Sequence, residues 1–226
     1  MIFQIPEINI DIENDNELRP LANKIVGLSY LNKLSHIGSC LTALPLLHYA
    51  YKQKDAVVVL SSAHAGLAQY VLLETLGLSK LTAQQLLDRD GIHSTRDPEN
   101  GILVSGGSLG QAITAALGYA LETPEKQIYV ISSDGESFEG SWMETLNYCS
   151  NNYVPNFYVL INANGFRATD EASLEQLCMR IDGFETSNFY VVDTSSIMQT
   201  KYLSFMKGLW AHYHVMTDDE YKGLKS

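Results

Sequence analysis

"YVISSDGESFEGSWMETLNYCSNNYVPNFYVLINANGF", residues 129–166, decides how this chain is read. Two apolar runs rich in β-branched residues, 127–133 and 156–164, each end in a polar turn: Asp-Gly-Glu after the first, Asn-Gly after the second. The segment between them, 139–151, has helical spacing. Strand, helix, strand is the unit of a parallel sheet, because parallel neighbours need a crossover between them. Asp-Gly and Asn-Gly are also ordinary turn dipeptides, so the turns alone do not establish chemistry.

Working outward, residues 17–34 and 41–52 read as helices separated by a break at "SHIGS". "AVVVLSS" (56–62) is a continuous run of the kind buried on both faces of a sheet, followed by helices over 64–77 and 81–91. Residues 91–107 have no helical period and are dense in turn formers, which predicts a long ordered loop of the kind that carries function. Helices over 108–122 and 171–181 and a strand over 188–194 complete the pattern. The alternation predicts an α/β fold, a mostly parallel sheet with helices on both faces. With no composition break or repeat, a single domain is expected over 1–226, residues 1–15 being an N-terminal extension.

Composition narrows the function classes. The chain has 226 residues, 46% hydrophobic and 18% charged, a globular composition long enough to bury a sizeable core. A net charge of -11, with no Lys/Arg cluster interleaved with aromatics, argues against nucleic acid as a partner. Cys40, Cys149 and Cys178 lack metal-site spacing and read as reduced core thiols. The N-terminus has no basic stretch followed by an apolar core, and the longest uncharged stretch, 101–121, is too rich in Gly, Ser, Gln and Thr to suit a membrane. A cytoplasmic protein without a membrane span is the expectation.

In a parallel sheet, ligands bind at the carboxyl ends of the strands. Asp134 and Asn164 both fall just past strand ends, 164 − 134 = 30 residues apart, one β-α-β unit. If those strands are neighbours, a carboxylate and an amide oxygen converge, a donor set for a hard cation such as Mg²⁺. Gly135 permits close backbone approach, and the start of the helix near Glu139 favours an anion. A metal-diphosphate site is the reading.

The arrangement resembles the thiamine-diphosphate motif, Gly-Asp-Gly followed by an Asn, here "SDGESFEG" and "INANGF". The chain from about 17 to 224 is similar to the amino-terminal, diphosphate-binding domain of transketolase, through "SHIGSCLTALPLLHYAY", "DAVVVLSSAHAGLAQYVLLETLG", "GGSLGQAITAALGYA" and "SFMKGLWAHYHVMTDDEYKGL" in that order. The resemblance implies the thiamine-diphosphate-binding fold, with thiamine diphosphate and Mg²⁺ (or Ca²⁺) as cofactors. It implies Asp134, Asn164 and the Phe166 carbonyl as metal ligands, and His64, Gly107, Leu109, Ser133, Asp134, Gly135 and Asn164 as cofactor contacts. His36, His64, His93, His212 and Glu139 take the catalytic roles. Among these, His93 lies 107 − 93 = 14 residues before Gly107, as in the family. Glu139 matches a glutamate that couples two active sites across an interface; its alternative is a first-turn acid complementing the helix dipole. His48 and His214 read as structural.

The implied activity is transfer of a two-carbon ketol unit from a ketose to an aldose, with sugar or sugar-phosphate substrates. The chain ends where family members often continue into a pyrimidine-binding domain. A second subunit carrying that domain and a C-terminal domain is therefore expected, in a heterotetramer inactive without it. Departures from the family are Ser133 for the first Gly of the motif, Asn162 for an Asp, Ser62 for a frequent Lys, and a shorter 170–205 segment. The alternatives are a thiamine-diphosphate synthase or decarboxylase component and a non-catalytic assembly subunit. Nicotinamide and nucleoside-triphosphate motifs are absent, since "SGGSLG" (105–110) is neither Gly-x-Gly-x-x-Gly nor a P-loop.

Overall fold

The four apolar runs form one parallel sheet of sequential order, β1 (Ala56–Leu60), β2 (Gln127–Ser133), β3 (Phe157–Ala163) and β4 (Phe189–Asp193). The computed structural model describes residues 8–167, 170–186 and 188–224, apart from the Leu209 side chain; residues 1–7 of the expected N-terminal extension lie outside the described residues. Ile131 pairs with Leu60 on one side and with Leu160 on the other, so the ends of β1, β2 and β3 lie level. Asp134 and Asn164 therefore emerge from neighbouring strands at the same edge.

Strand alternation sends side chains to two cores. Val58, Leu60, Tyr129, Ile131, Leu160 and Val192 point toward α1 (Leu18–Leu31), α2 (Ile37–Tyr51), α3 (Gly66–Thr75) and α4 (Ala83–Asp90). Val59, Ile128, Val130, Phe157, Val159, Ile161 and Phe189 point toward α5 (Gln111–Glu122), α6 (Gly140–Asn151) and α7 (Leu174–Asp182). A sheet covered on both faces explains why its strands read as unbroken apolar runs. After β4 the chain crosses back over the first core, and α8 (Asp218–Gly223), capped by Thr217 and Glu220, closes it.

Several expectations shift. The first helix is shorter than 17–34, while α2 starts before residue 41, at Ile37. The break before it narrows because His36 takes a left-handed conformation (φ 62°) and turns the chain directly into the helix. The 91–107 segment is a loop with one 3-10 turn (Pro98–Asn100) and an Asp97–Ile102 bridge. All three cysteines are free thiols, but only Cys40 is buried in the core; Cys149 and Cys178 are half-buried, because α6 and α7 are amphipathic helices with one solvated face. No helix among the described residues is long and apolar enough to cross a membrane.

Candidate functional site

At the carboxyl edge of the sheet, the start of α2, the ends of β1, β2 and β3, the 107–109 turn and the segment around His212 line an open cleft of about 190 Å³. Every site residue expected from the sequence lines it except Glu139. Glu139 is exposed, stands as N-cap of α6 and makes no side-chain cap bond.

Asp134 is 2% exposed. One carboxylate oxygen accepts from the Gly135 N–H and the other from the Gly165 N–H, both at 2.9 Å. Burial pushes its carboxyl up to about 6, opposed by the backbone N–H donors. Asn164 Oδ1 accepts from the Phe166 N–H at 3.0 Å and its Nδ2 donates to Thr42 Oγ1 at 3.2 Å. The turn that follows is left-handed at Gly165 (φ 91°), a conformation that favours glycine.

One carboxylate, one amide oxygen and a nearby backbone carbonyl form a hard-oxygen set suited to Mg²⁺ or Ca²⁺ with its remaining positions open to water or phosphate oxygens. No group of three His, Cys, Asp or Glu that could hold a metal occurs among the described residues. Two polar atoms in the cleft wall, Ser62 Oγ and His36 Nδ1, are buried without a hydrogen-bond partner, which suits a wall completed by a polar ligand.

Three histidines meet across the cleft. Ring centroids of His36 and His212 lie 4.6 Å apart, His36 and His64 5.5 Å, and His64 and His212 5.7 Å. The His36 backbone N–H donates to the His212 carbonyl at 3.1 Å, which ties the start of α2 to the late segment. Burial, then mutual repulsion with the other histidines, pulls His36 down to about 4 and His64 to about 3, and burial lowers His212. All three rings are neutral near pH 7. His93 is exposed at the cleft edge. His48 and His214 stand elsewhere, beside Glu17 (3.6 Å) and Glu220 (2.9 Å).

Loop approach depends on glycine at Gly106, where a Cβ would lie 2.1 Å from Ala63 Cβ. That contact sets the 106–109 turn against the end of β1.

Sequence reading missed three residues. Thr42, fully buried in α2, accepts from both Asn162 Nδ2 (2.9 Å) and Asn164 Nδ2. Arg167 is the one Lys or Arg among the cleft-lining residues; it sits 4.0 Å over the Phe138 ring and pairs with Asp170 at 2.6 Å. Glu136 turns away from the cleft into the protein and is 0% exposed. No periodicity marks these positions; the only signal was a charged or hydroxyl side chain in an otherwise apolar or turn-forming context.

Residues 77–213 match the family model of the thiamine pyrophosphate (thiamine diphosphate) enzymes, C-terminal TPP-binding domain, over more than half of the chain. The chain is similar to an apulose-4-phosphate transketolase subunit of Phocaeicola vulgatus, 28% identical over 184 residues, 71% of this chain and 66% of that protein. It is also similar to the 6-deoxy-6-sulfo-D-fructose transketolase subunit SqwG of a Clostridium species, 30% identical, covering 61% and 57% of the two. A third relative is the 1-deoxy-D-xylulose-5-phosphate synthase of Fusobacterium nucleatum, 25% identical, covering 57% and 22%. The chain spans less than two thirds of the length of each of these relatives. Among solved structures, a transketolase variant from Pichia stipitis superposes with a TM-score of 0.70 at 18% identity, over 96% of this chain and 40% of that one. Transketolase from Leishmania mexicana gives 0.62 at 19%, over 83% and 36%. At these identities the superpositions show a shared fold.

Proposed function

The chain belongs to the thiamine pyrophosphate enzymes, and from that premise we propose that it is the diphosphate- and metal-binding subunit of a two-chain, transketolase-like enzyme. The observation that carries the proposal is the convergence of Asp134, Asn164 and the neutral His36, His64 and His212 on one cleft at the strand ends.

In this reading Asp134, Asn164 Oδ1 and the Phe166 carbonyl hold Mg²⁺ or Ca²⁺, and the backbone at Ser133 and Gly135 receives the diphosphate. His64 stands beside the diphosphate, and Gly107 and Leu109 face the cofactor rings. When bound, thiamine diphosphate supplies the carbon nucleophile that takes a two-carbon ketol unit from a ketose and passes it to an aldose. The protein's share is binding, orientation and proton management. A neutral imidazole both accepts and gives protons, and His36 Nδ1, buried without a partner, is free to hold a proton at a substrate oxygen. His212, whose ring abuts that of His36, does the same beside it, while His93 holds the donor's hydroxyl at the edge.

The unit corresponds to the amino-terminal domain of transketolase, and the partner brings the pyrimidine-binding and C-terminal domains. Two relatives bear subunit names, which supports a multi-chain assembly. Trp210 (84% exposed) and Tyr213 (62%) beside the cleft, and the exposed Glu139, suit contacts with other chains in a heterotetramer. Sugar or sugar-phosphate substrates and a cytoplasmic location complete the reading. The synthase relative favours one alternative, the same cofactor used for decarboxylating condensation.

The test is a native mass spectrum of the complex recovered from the source organism, followed by ketol-transfer assays across donor sugars. A hetero-oligomer carrying thiamine diphosphate and a divalent metal supports the proposal. A homo-oligomer that takes up neither, even when both are added, overturns it in favour of a non-catalytic role.

A further inference from the structure

The Glu136 carboxylate receives four hydrogen bonds. Oε1 accepts from Ser61 Oγ at 2.7 Å and from the Gly110 N–H at 2.9 Å. Oε2 accepts from Ser132 Oγ at 3.1 Å and from the Ser133 N–H at 3.2 Å. Trp142 Nε1 donates to Ser132 Oγ at 2.9 Å, which leaves the serine hydrogen for Glu136. These donors come from three places: the end of β1, the end of β2, and Gly110 at the N-terminus of α5. The Ser61, Ser133 and Gly110 ends each adjoin a stretch of cleft wall: Ser62 and His64, Asp134 and Gly135, and Gly107 and Leu109.

The Gly110 N–H is one of the first N–H groups of a helix, which have no intrahelical partner. Gly110 itself is left-handed (φ 77°) and packed so closely that a Cβ would lie 2.8 Å from Glu139 Cβ. The 107–110 turn is thus joined to β2 through the protein interior by one carboxylate. A buried acid is costly to keep, since burial raises the Glu136 carboxyl's pKa. What an apolar side chain cannot do is accept from two backbone N–H groups at once.

We propose that Glu136 is a positioning residue whose carboxylate clamps the 107–110 turn to the ends of β1 and β2 and so sets the backbone that faces the cofactor. The clamp depends on the proposed function only for what occupies the cleft. It has a discriminating consequence. Each carboxylate oxygen takes one serine hydroxyl, which can rotate, and one backbone N–H, which cannot. In Glu136→Gln the amide nitrogen faces a backbone donor whichever way it turns, so the near-isosteric change breaks the clamp.

The experiment is residue-resolved amide exchange on the full chain, wild type and Glu136→Gln, with thiamine diphosphate and Mg²⁺ titrated into each, both alone and in the complex in which the chain is recovered. The expected result is a protected Gly110 amide in wild type, with exchange of the Gly110 amide (and with it residues 107–111) or of the Ser133 amide accelerated about tenfold or more in Glu136→Gln, according to which donor the Gln nitrogen faces, while the other β2 amides and the β3 amides keep their protection. Cofactor affinity falls in parallel. Should the variant fail to fold, the wild-type measurement still decides, because an unprotected Gly110 amide means the clamp is not there. Unchanged exchange in the variant, or unchanged affinity despite lost protection, also overturns the proposal. A wild-type complex that binds no thiamine diphosphate overturns the functional reading instead, and the exchange data then judge the clamp alone.

Discussion

Asn164 donates its side-chain N–H to the hydroxyl of Thr42 at 3.2 Å, across 122 residues of sequence. The Phe166 N–H, which can only donate, settles which end of the amide is oxygen, and Thr42, whose own hydrogen goes to the Ser39 carbonyl at 3.3 Å, accepts from the nitrogen end. Asn162 Nδ2 uses the same acceptor, and its Oδ1 receives Thr194 Oγ1 at 2.5 Å. The Asn that replaces the family's Asp at position 162 is therefore matched to its surroundings, as both ends of its amide are used.

Thr42→Val keeps the shape and removes the acceptor. Two buried amide donors are orphaned, at a cost of about 1–3 kcal/mol each. The expected outcome is a lower urea midpoint at unchanged m-value, together with weaker Mg²⁺ dependence of cofactor binding. An unchanged midpoint means the amides find other partners.

Asp134→Ala removes the one carboxylate of the oxygen set while leaving the Gly135 and Gly165 N–H groups at the cleft wall. Metal-dependent binding of thiamine diphosphate to the assembled enzyme is expected to disappear in calorimetry. Wild-type affinity in this variant removes the metal assignment.

Stability near the histidines depends on pH with a definite sign. His36 titrates near 4 in the fold because of burial and then repulsion by His212, against about 6.5 in an unfolded chain. The unfolded chain binds more protons between those values, so the stability is complete above about 6.5 and is lost as pH falls toward 4. Asp134, pushed up to about 6 by burial, acts with the opposite sign as pH falls below that value. The readout is therefore the difference between wild type and His36→Asn, asparagine being tolerated at a left-handed position. The variant is expected to lose less stability than wild type between about pH 6.5 and 4.5 in urea titrations; parallel curves contradict the assignment.

His93→Ala is expected to leave the cofactor bound and to lower turnover, since His93 is an exposed residue of the cleft wall and is not among the oxygen donors proposed for the metal. Weakened cofactor binding with turnover unchanged at saturating thiamine diphosphate means the residue contacts the cofactor instead.

Local sequence carried a large part of this structure. The run 127–133, the helix 139–151 and the run 156–164 follow from side-chain period alone. Because period also implies a parallel pair, the convergence of Asp134 and Asn164 was legible in the sequence. The Asp-Gly-Glu tripeptide, in contrast, holds two acids with two different fates. Past the end of a strand, alternation no longer says where a side chain points: Asp134 faces the cleft, whereas the 3-10 turn beginning at Glu136 sends the second acid into the interior. Glu139, three residues on, faces solvent for the same reason.

What the sequence determined by itself is thus the layered α/β fold, the strand ends that carry chemistry, and the residue types available there. Only the tertiary structure decided that His36 and His212, 212 − 36 = 176 residues apart, meet in one cleft, that Thr42 orients Asn164, and that Glu136 holds Gly110. The physical reason is the range of the interactions. Helix and strand formation answer to neighbours a few residues away and leave a periodic trace. Desolvation and buried hydrogen bonds arise between segments that meet only when two cores pack on one sheet, and they leave no trace in the order of residues along the chain.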